Sequence, residues 1–218
     1  MDIRKSKAAW GAIILTILLT IITFIAIPNE GELTFDTVII DFLQTIFPSS
    51  MHSIFEGISY LGTKIGIGIV ALLFIIWLVW KAKDFVGIAT FVLCVGLGNI
   101  MNNWIKDVIE RPRPITASLE DADSFSFPSG HAMVGLLLYL FIAHLLSKEI
   151  KRNSRKLVLA GVALLLILLI GISRIVLGAH YPTDVIGGYL IGGIWLFIWI
   201  IIYETLHEVL NRREKKRV

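Results

Sequence analysis

Long apolar runs separated by short polar stretches dominate this chain. The runs lie near residues 8–27, 65–80, 85–105, 130–147, 156–173 and 185–203. Each approaches the ~20 residues that a helix needs to cross ~30 Å of hydrocarbon, so they predict six transmembrane helices. Residues 29–57 break the pattern, being too polar to cross and too apolar to stay disordered. There FDTVIIDFLQTIF sets Phe35, Val38, Ile39, Phe42 and Ile46 at helical spacing, which predicts an amphipathic helix on the membrane surface. A brace packed on the protein, without lipid contact, is the other reading of the same pattern.

Composition agrees with the pattern. The 218 residues are 56% hydrophobic, with a mean hydropathy of +0.80, where a soluble domain has roughly 45–50% apolar residues. The fold expected is all-α, one polytopic membrane domain over residues 1–218, without internal repeats. Arg4, Lys5 and Lys7 before the first run also suit the n-region of a signal peptide. The length of that run, and the lack of a small-x-small site before Pro28, favour a retained span. Cys94, the single cysteine, cannot form an intrachain disulfide and is silent on compartment.

Charge orients the spans. Short loops rich in Lys and Arg stay inside, and six spans with the N-terminus inside place Arg4, Lys5 and Lys7; Lys81 and Lys83; Lys148, Lys151, Arg152, Arg155 and Lys156; and Arg212, Arg213, Lys215, Lys216 and Arg217 on that side. Only Lys64, Lys106, Arg111, Arg113 and Arg174 remain outside, and four of these sit in two short stretches. The segment after the first span is acidic instead, with Glu30, Glu32, Asp36, Asp41 and Glu56. The chain is expected in a bacterial-type cytoplasmic membrane, both termini inside. Its basic tail reads as a cytoplasmic anchor.

Threading the spans brings three polar segments to the outer surface. In KDVIERPRP, Lys106 to Pro114, Lys106 and Arg113 would lie ~10 Å apart along a helix, but Pro112 and Pro114 should end it and let an extended hook swing Arg113 back. In FPSGH, residues 127–131, Ser129 is placed as an N-cap. Gly130 admits a ligand close to the backbone, and the first-turn N–H groups suit an anion. His131 shares that turn. In SRIVLGAHYPTDV, residues 173–185, Arg174 closes the fifth span, Pro182 opens the sixth, and His180 and Asp184 stand four apart. The carboxylate can then take a hydrogen bond from one imidazole nitrogen and sharpen the other as a nucleophile. Fixed cations, a helix N-terminus, a nucleophile and a proton donor together describe phosphoryl transfer, and the location points to a lipid substrate.

Other polar residues invite plainer readings. Single basic residues at span ends usually snorkel to headgroups, and two histidines with one carboxylate beside three cations make a poor metal site. Asp107, Glu110, Glu120, Asp121 and Asp123 read as loop solvation. Asn99, Asn102 and Asn103 suit interhelical hydrogen bonds, and Trp77, Trp80 and Trp104 suit belt anchors.

Lys106 with Arg113-Pro114, then Pro128-Ser129-Gly130-His131, then Ser173-Arg174 with His180 and Asp184 together resemble the three-part signature of the type 2 phosphatidic acid phosphatase superfamily. The resemblance is strongest over 106–184, and the six spans fit its membrane branch rather than its soluble phosphatases and haloperoxidases. The chain is similar in size to the bacterial phosphatidylglycerophosphatase B type, whose members also hydrolyse undecaprenyl pyrophosphate. The resemblance implies that His180 attacks phosphorus and forms a phosphohistidine, that Asp184 orients it, and that His131 protonates the leaving group. Lys106, Arg113, Arg174, Ser129 and Gly130 would hold the phosphate. It implies no cofactor, no metal and no nucleic-acid partner, and a lipid phosphate as substrate. Phosphotransfer to a lipid or sugar acceptor, or lipid-phosphate binding and flipping without catalysis, are the competing expectations.

Overall fold

The computed structural model describes residues 6–27, 32–116 and 124–215, and within these every regular element is helical. Arg4, Lys5, Pro28, Glu30, Glu120, Asp121, Asp123, Lys216 and Arg217 lie outside the described residues, as do the side chains of Arg213 and Lys215.

The helices are α1 (Lys7–Ala26), α2 (Thr34–Ile46), α3 (His52–Tyr60), α4 (Lys64–Trp77), α5 (Phe85–Ile109), α6 (Gly130–Glu149), α7 (Asn153–Val176) and α8 (Pro182–Lys215). Six segments are long and apolar enough to cross a membrane: Lys7–Ala26, Lys64–Ala82, Phe85–Ile109, Gly130–Glu149, Asn153–Val176 and Pro182–Leu210. The chain is a multi-pass membrane protein, and each expected run lies within one of these segments or within a residue of its end.

Burial is graded around α6. Met133, Leu137, Leu138 and Phe141 are fully buried, because α4, α5, α7 and α8 surround this helix. Helix α8 approaches it closely: a Cβ at Gly188 would meet the Ser129 carbonyl oxygen at 2.8 Å and Ala132 Cβ at 3.1 Å. Small residues supply the packing that hydrophobicity cannot drive inside lipid. Helix α1 leans on α8 through the edge-to-face pair Trp10 and Phe197, 5.3 Å apart, and otherwise exposes Ile14, Ile22 and Ile25.

Chain breakers close the spans as expected. Helix α5 stops at Ile109, with Glu110 in the left-handed region (φ 52°) and its N–H bonded to Lys106 O, before the Arg-Pro-Arg-Pro stretch. Pro182 occupies the first position of α8, where its missing N–H costs nothing. Helix α7 runs to Val176, three residues beyond the expected end, and Gly178 (φ 68°) turns the chain there.

Helix α2 combines both readings of its pattern. Phe35, Val38, Phe42 and Ile46 face outward, while Ile40 and Leu43 pack on a cluster formed by Ala132, Ile175 and Val185. On this inner side lies Asp36, fully buried. Helix α3 was not legible in the sequence; it packs against α7 and buries Phe55 and Ser59.

Candidate active site

The ends of α5, α6 and α7 and the start of α8 meet at the surface away from the basic turns 81–83 and 148–156, and there the three polar segments converge. Lys106, Arg113, Gly130, His131 and His180 line one cavity of about 620 Å³. Asn99, Asn102 and Asn103 continue its wall. Further along, Ile67, Ala71 and Ile75 of α4 face Phe91, Val92 and Val95 of α5. The cavity is thus ionic at one end and apolar at the other, as an amphiphile requires.

The Pro-rich hook brings Arg113 back to Lys106 as the prolines predict. Arg113 donates through Nε to Ser124 O (2.7 Å), through Nη2 to Ser124 Oγ (2.9 Å) and through Nη1 to Ala179 O (2.8 Å). Lys106 donates to Phe125 O. The two signature cations therefore both hold the strip 124–125.

Arg113 also reads the tautomer of His180. Its Nη1 lies 3.3 Å from His180 Nε2, and a guanidinium can only donate. Nε2 consequently presents a lone pair, and the ring proton belongs on Nδ1. On that side Asp184 Oδ2 and Ser126 Oγ both stand at 3.4 Å, the long end of the hydrogen-bond range. Burial pushes the His180 pKa down to about 4, against the pull of Asp184, and the charges of Arg113 and Lys106 push the same way. The imidazole is neutral at pH 7.

Asp184 is held on every side. Its Oδ2 accepts from Tyr181 N (2.9 Å) and Ser126 Oγ, and its Oδ1 accepts from Arg111 Nη1 (2.6 Å). Arg111 is fully buried, its guanidinium 4.3 Å above the Tyr181 ring. Its other nitrogen donates to Asp36 Oδ2 (2.9 Å), and Thr183 donates to Asp36 Oδ1 through both N (2.8 Å) and Oγ1 (2.8 Å).

Two of the expected phosphate-binding residues stand back from the cavity wall. Ser129 is the N-cap of α6, but its hydroxyl caps nothing: Oγ is buried without a hydrogen-bond partner among the described residues, and Ser129 does not line the cavity. Instead its N–H donates to Asp184 O (3.0 Å), tying the starts of α6 and α8 together. Arg174 is buried and donates to Ser59 Oγ (2.8 Å) rather than lining the cavity, because α3 packs over it.

Sequence reasoning passed over Asp36, Arg111, Ser124, Ser126 and Thr183. The doubled arginine of Arg-Pro-Arg-Pro was the one local signal, since only one partner belongs to the signature. Asn102 bonds between helices as expected, its Nδ2 donating to Met133 Sδ of α6 (3.5 Å), and it also donates to Pro128 O (3.2 Å), bracing the loop before α6. Among the described residues no group of three His, Cys, Asp or Glu side chains is placed to hold a metal ion.

Comparison with known proteins gives the same outline. Residues 87–208 match the model of the PAP2 superfamily. The chain is 40% identical over 110 residues to phosphatidylglycerophosphatase B of Bacillus subtilis, covering 49% of this chain and 53% of the relative. It is 28% identical over 134 residues to lipid phosphate phosphatase delta of Arabidopsis thaliana, covering 56% of this chain and 32% of the relative. The matched stretch thus spans about half the length, or less, of these curated relatives. Among solved structures, the transmembrane PAP2-type phosphatidylglycerolphosphate phosphatase of Bacillus subtilis superposes with a TM-score of 0.75 at 30% identity, over 88% of this chain and 96% of that one. The Aquifex aeolicus LpxE structure shares the fold, with a TM-score of 0.61 at 22% identity over 78% of this chain and 96% of that one.

Proposed function

The chain belongs to the PAP2 superfamily, and from that premise we propose that it hydrolyses the terminal phosphate of membrane lipids through a phosphohistidine on His180. Undecaprenyl pyrophosphate and phosphatidylglycerophosphate are the substrates proposed. The observation that carries this reading is the place of His180, whose Nε2 lies 3.3 Å from Arg113 Nη1 at the cationic end of a cavity whose far end is apolar.

The steps follow from the geometry. The lipid lies in the cavity with its phosphate at Lys106 and Arg113, whose charges offset the anion and the charge that develops in the transition state. His180 Nε2 attacks phosphorus, and the phosphorus bond to the leaving oxygen breaks. His131, in the same cavity, gives that oxygen its proton. Asp184 accepts from Nδ1–H and stabilises the imidazolium-like ring while the phosphohistidine exists. Water then enters, loses its proton to His131 and attacks phosphorus, and the bond to Nε2 breaks to release phosphate and restore both histidines. The cations perform the charge neutralisation that Mg²⁺ supplies elsewhere, so the reaction is expected to run in EDTA.

We place the site at the outer face of the cytoplasmic membrane. Supporting this, Lys81, Lys83, Lys148, Lys151, Arg152, Arg155, Lys156 and Arg212 gather at the opposite helix ends, where the positive-inside rule puts the cytoplasm.

The test is phosphate release in detergent from undecaprenyl pyrophosphate, phosphatidylglycerophosphate and phosphatidate, with EDTA present and His180→Ala as control. Release by the wild type alone, with an acid-labile phosphoprotein trapped at short times, is expected. Equal rates for the two proteins, or loss of activity that Mg²⁺ restores, would overturn the mechanism.

A further inference from the structure

One cation of the cavity has no part in the site described so far. Lys64 opens α4 and lines the same cavity as His180, Lys106 and Arg113. Unlike Lys106 and Arg113, which are tied to Phe125, Ser124 and Ala179, Lys64 has no hydrogen bond or ion pair among the described residues. Thr63 caps the helix by accepting from Gly66 N (3.1 Å), so the start of α4 holds the lysine backbone in place while the ammonium remains available.

Its depth gives it meaning. Helices α4 and α5 follow one another in the chain, linked through residues 78–82 and the turn at Lys83, and both line the cavity. Measured along the helices from that turn at 1.5 Å per residue, Lys64 stands at ~28 Å, Asn103 at ~30 Å and Lys106 at ~34 Å. Lys64 and Asn103 thus line the cavity about one helical turn to the apolar side of Lys106. A lipid with its reacting phosphate at Lys106, Arg113 and His180, and its chains against Ile67 and Val92, passes its connecting atoms along the stretch of cavity wall that includes Lys64 and Asn103.

We propose that Lys64, with Asn103 opposite, forms a subsite for a second, non-reacting phosphate on the lipid side of the scissile bond. The ligand class is an amphiphile carrying two phosphates in series: a prenyl diphosphate, or a glycerolipid with a terminal phosphomonoester beyond a phosphodiester. Both place an anion one bridging oxygen or one glycerol away from the phosphorus under attack. A lipid with a single phosphomonoester has an uncharged ester there and gains nothing from the ammonium. The subsite would make the enzyme select lipids by phosphate count rather than by chain chemistry. This inference rests on the phosphatase reading for the position of the reacting phosphate, but its test can be read without turnover.

The experiment compares binding and hydrolysis. Binding of phosphatidylglycerophosphate, undecaprenyl pyrophosphate and phosphatidate is measured on His180→Ala protein in detergent, with Lys64 intact, as Lys64→Ala, as Lys64→Glu and as Lys64→Arg. Hydrolysis by the corresponding proteins with His180 intact is measured in parallel. The expected result is that affinity for both two-phosphate lipids relative to phosphatidate falls about tenfold in Lys64→Ala, the order of one charge-assisted contact. It should fall further in Lys64→Glu and hold in Lys64→Arg, and in hydrolysis the change should enter through KM. A ratio that does not move, or equal losses for all three lipids, overturns the subsite even if hydrolysis is intact. Loss of the ratio in a protein that hydrolyses none of the lipids would keep the subsite and discard the phosphatase reading.

Discussion

Asp36 and Arg111, 75 positions apart in the sequence, form an ion pair of 2.9 Å in which neither side chain reaches solvent. The pair joins the extramembrane helix α2 to the guanidinium that holds Asp184 Oδ1. A buried charge that loses its partner is costly, of order 3–5 kcal/mol. Asp36→Ala should therefore lower the unfolding temperature in detergent by several degrees and reduce kcat by roughly ten- to a hundredfold, since Thr183 and Arg111 lose their common acceptor. Asp41→Ala, on the same helix but exposed, should change neither by a measurable amount, and equal effects of the two substitutions would refute the assignment.

The pH profile tests the state of His180. Its pKa is held near 4 by burial, below the ordinary value of 6.5, so the ring keeps its lone pair until the pH falls to about 4. The acid limb of kcat/KM should accordingly lie well below 6.5. Because Arg113 is one of the charges that lower this pKa, Arg113→Ala should move the limb upward while reducing the rate. The same shift carries a stability term: the folded state disfavours protonation, so stability is complete above pH 6.5 and declines as the pH falls toward 4.

Gly62 gives His131 its place. A Cβ there would come within 2.7 Å of His131 Cδ2 and 2.8 Å of Ile170 Cγ2, both too close. Gly62→Ala should displace the imidazole and cut kcat at least tenfold with a small effect on stability, as crowding of one ring costs alignment before it costs the fold. Activity measured beside circular dichroism and Tm distinguishes this from unfolding.

Removing His131, the proposed proton donor, should hurt substrates unequally. A lipid alkoxide needs protonation to leave, whereas a phosphate leaving group needs it less, so His131→Ala should depress phosphatidate hydrolysis more than undecaprenyl pyrophosphate cleavage. Equal losses in the two kcat/KM values would show that His131 does something other than protonate.

Much of this molecule was legible one residue at a time. Apolar runs long enough for a bilayer announce the spans regardless of how they pack, because every backbone polar group in lipid must be satisfied within its own helix. The end of α5 shortly before Pro112 and the start of α8 at Pro182 follow from proline's missing N–H and ring, and the signature residues at 106–184 stand out as charge where charge is expensive. Arg111 was not legible in this way. Its sequence neighbourhood matches that of Arg113, yet one guanidinium faces the cavity and the other is buried against two carboxylates.

The linear order of residues was enough to indicate six crossings, the amphipathic helix α2 and the three polar segments that meet at one end of the helices, since each rests on local periodicity and on the cost of burying charge. Which ionic residues meet was settled only by packing. Helix α3 draws Arg174 to Ser59, the close approach of α8 to α6 buries Ser129, and α2 docks Asp36 beside Thr183 and Arg111. The contacts among the side chains of Asp36, Arg111, Thr183, Ser59 and Arg174 span 72 to 147 positions along the chain, the longest between Asp36 and Thr183. At such separations neither helical period nor turn chemistry acts, and partner choice depends on which helix faces can be brought together without leaving a buried charge unpaired.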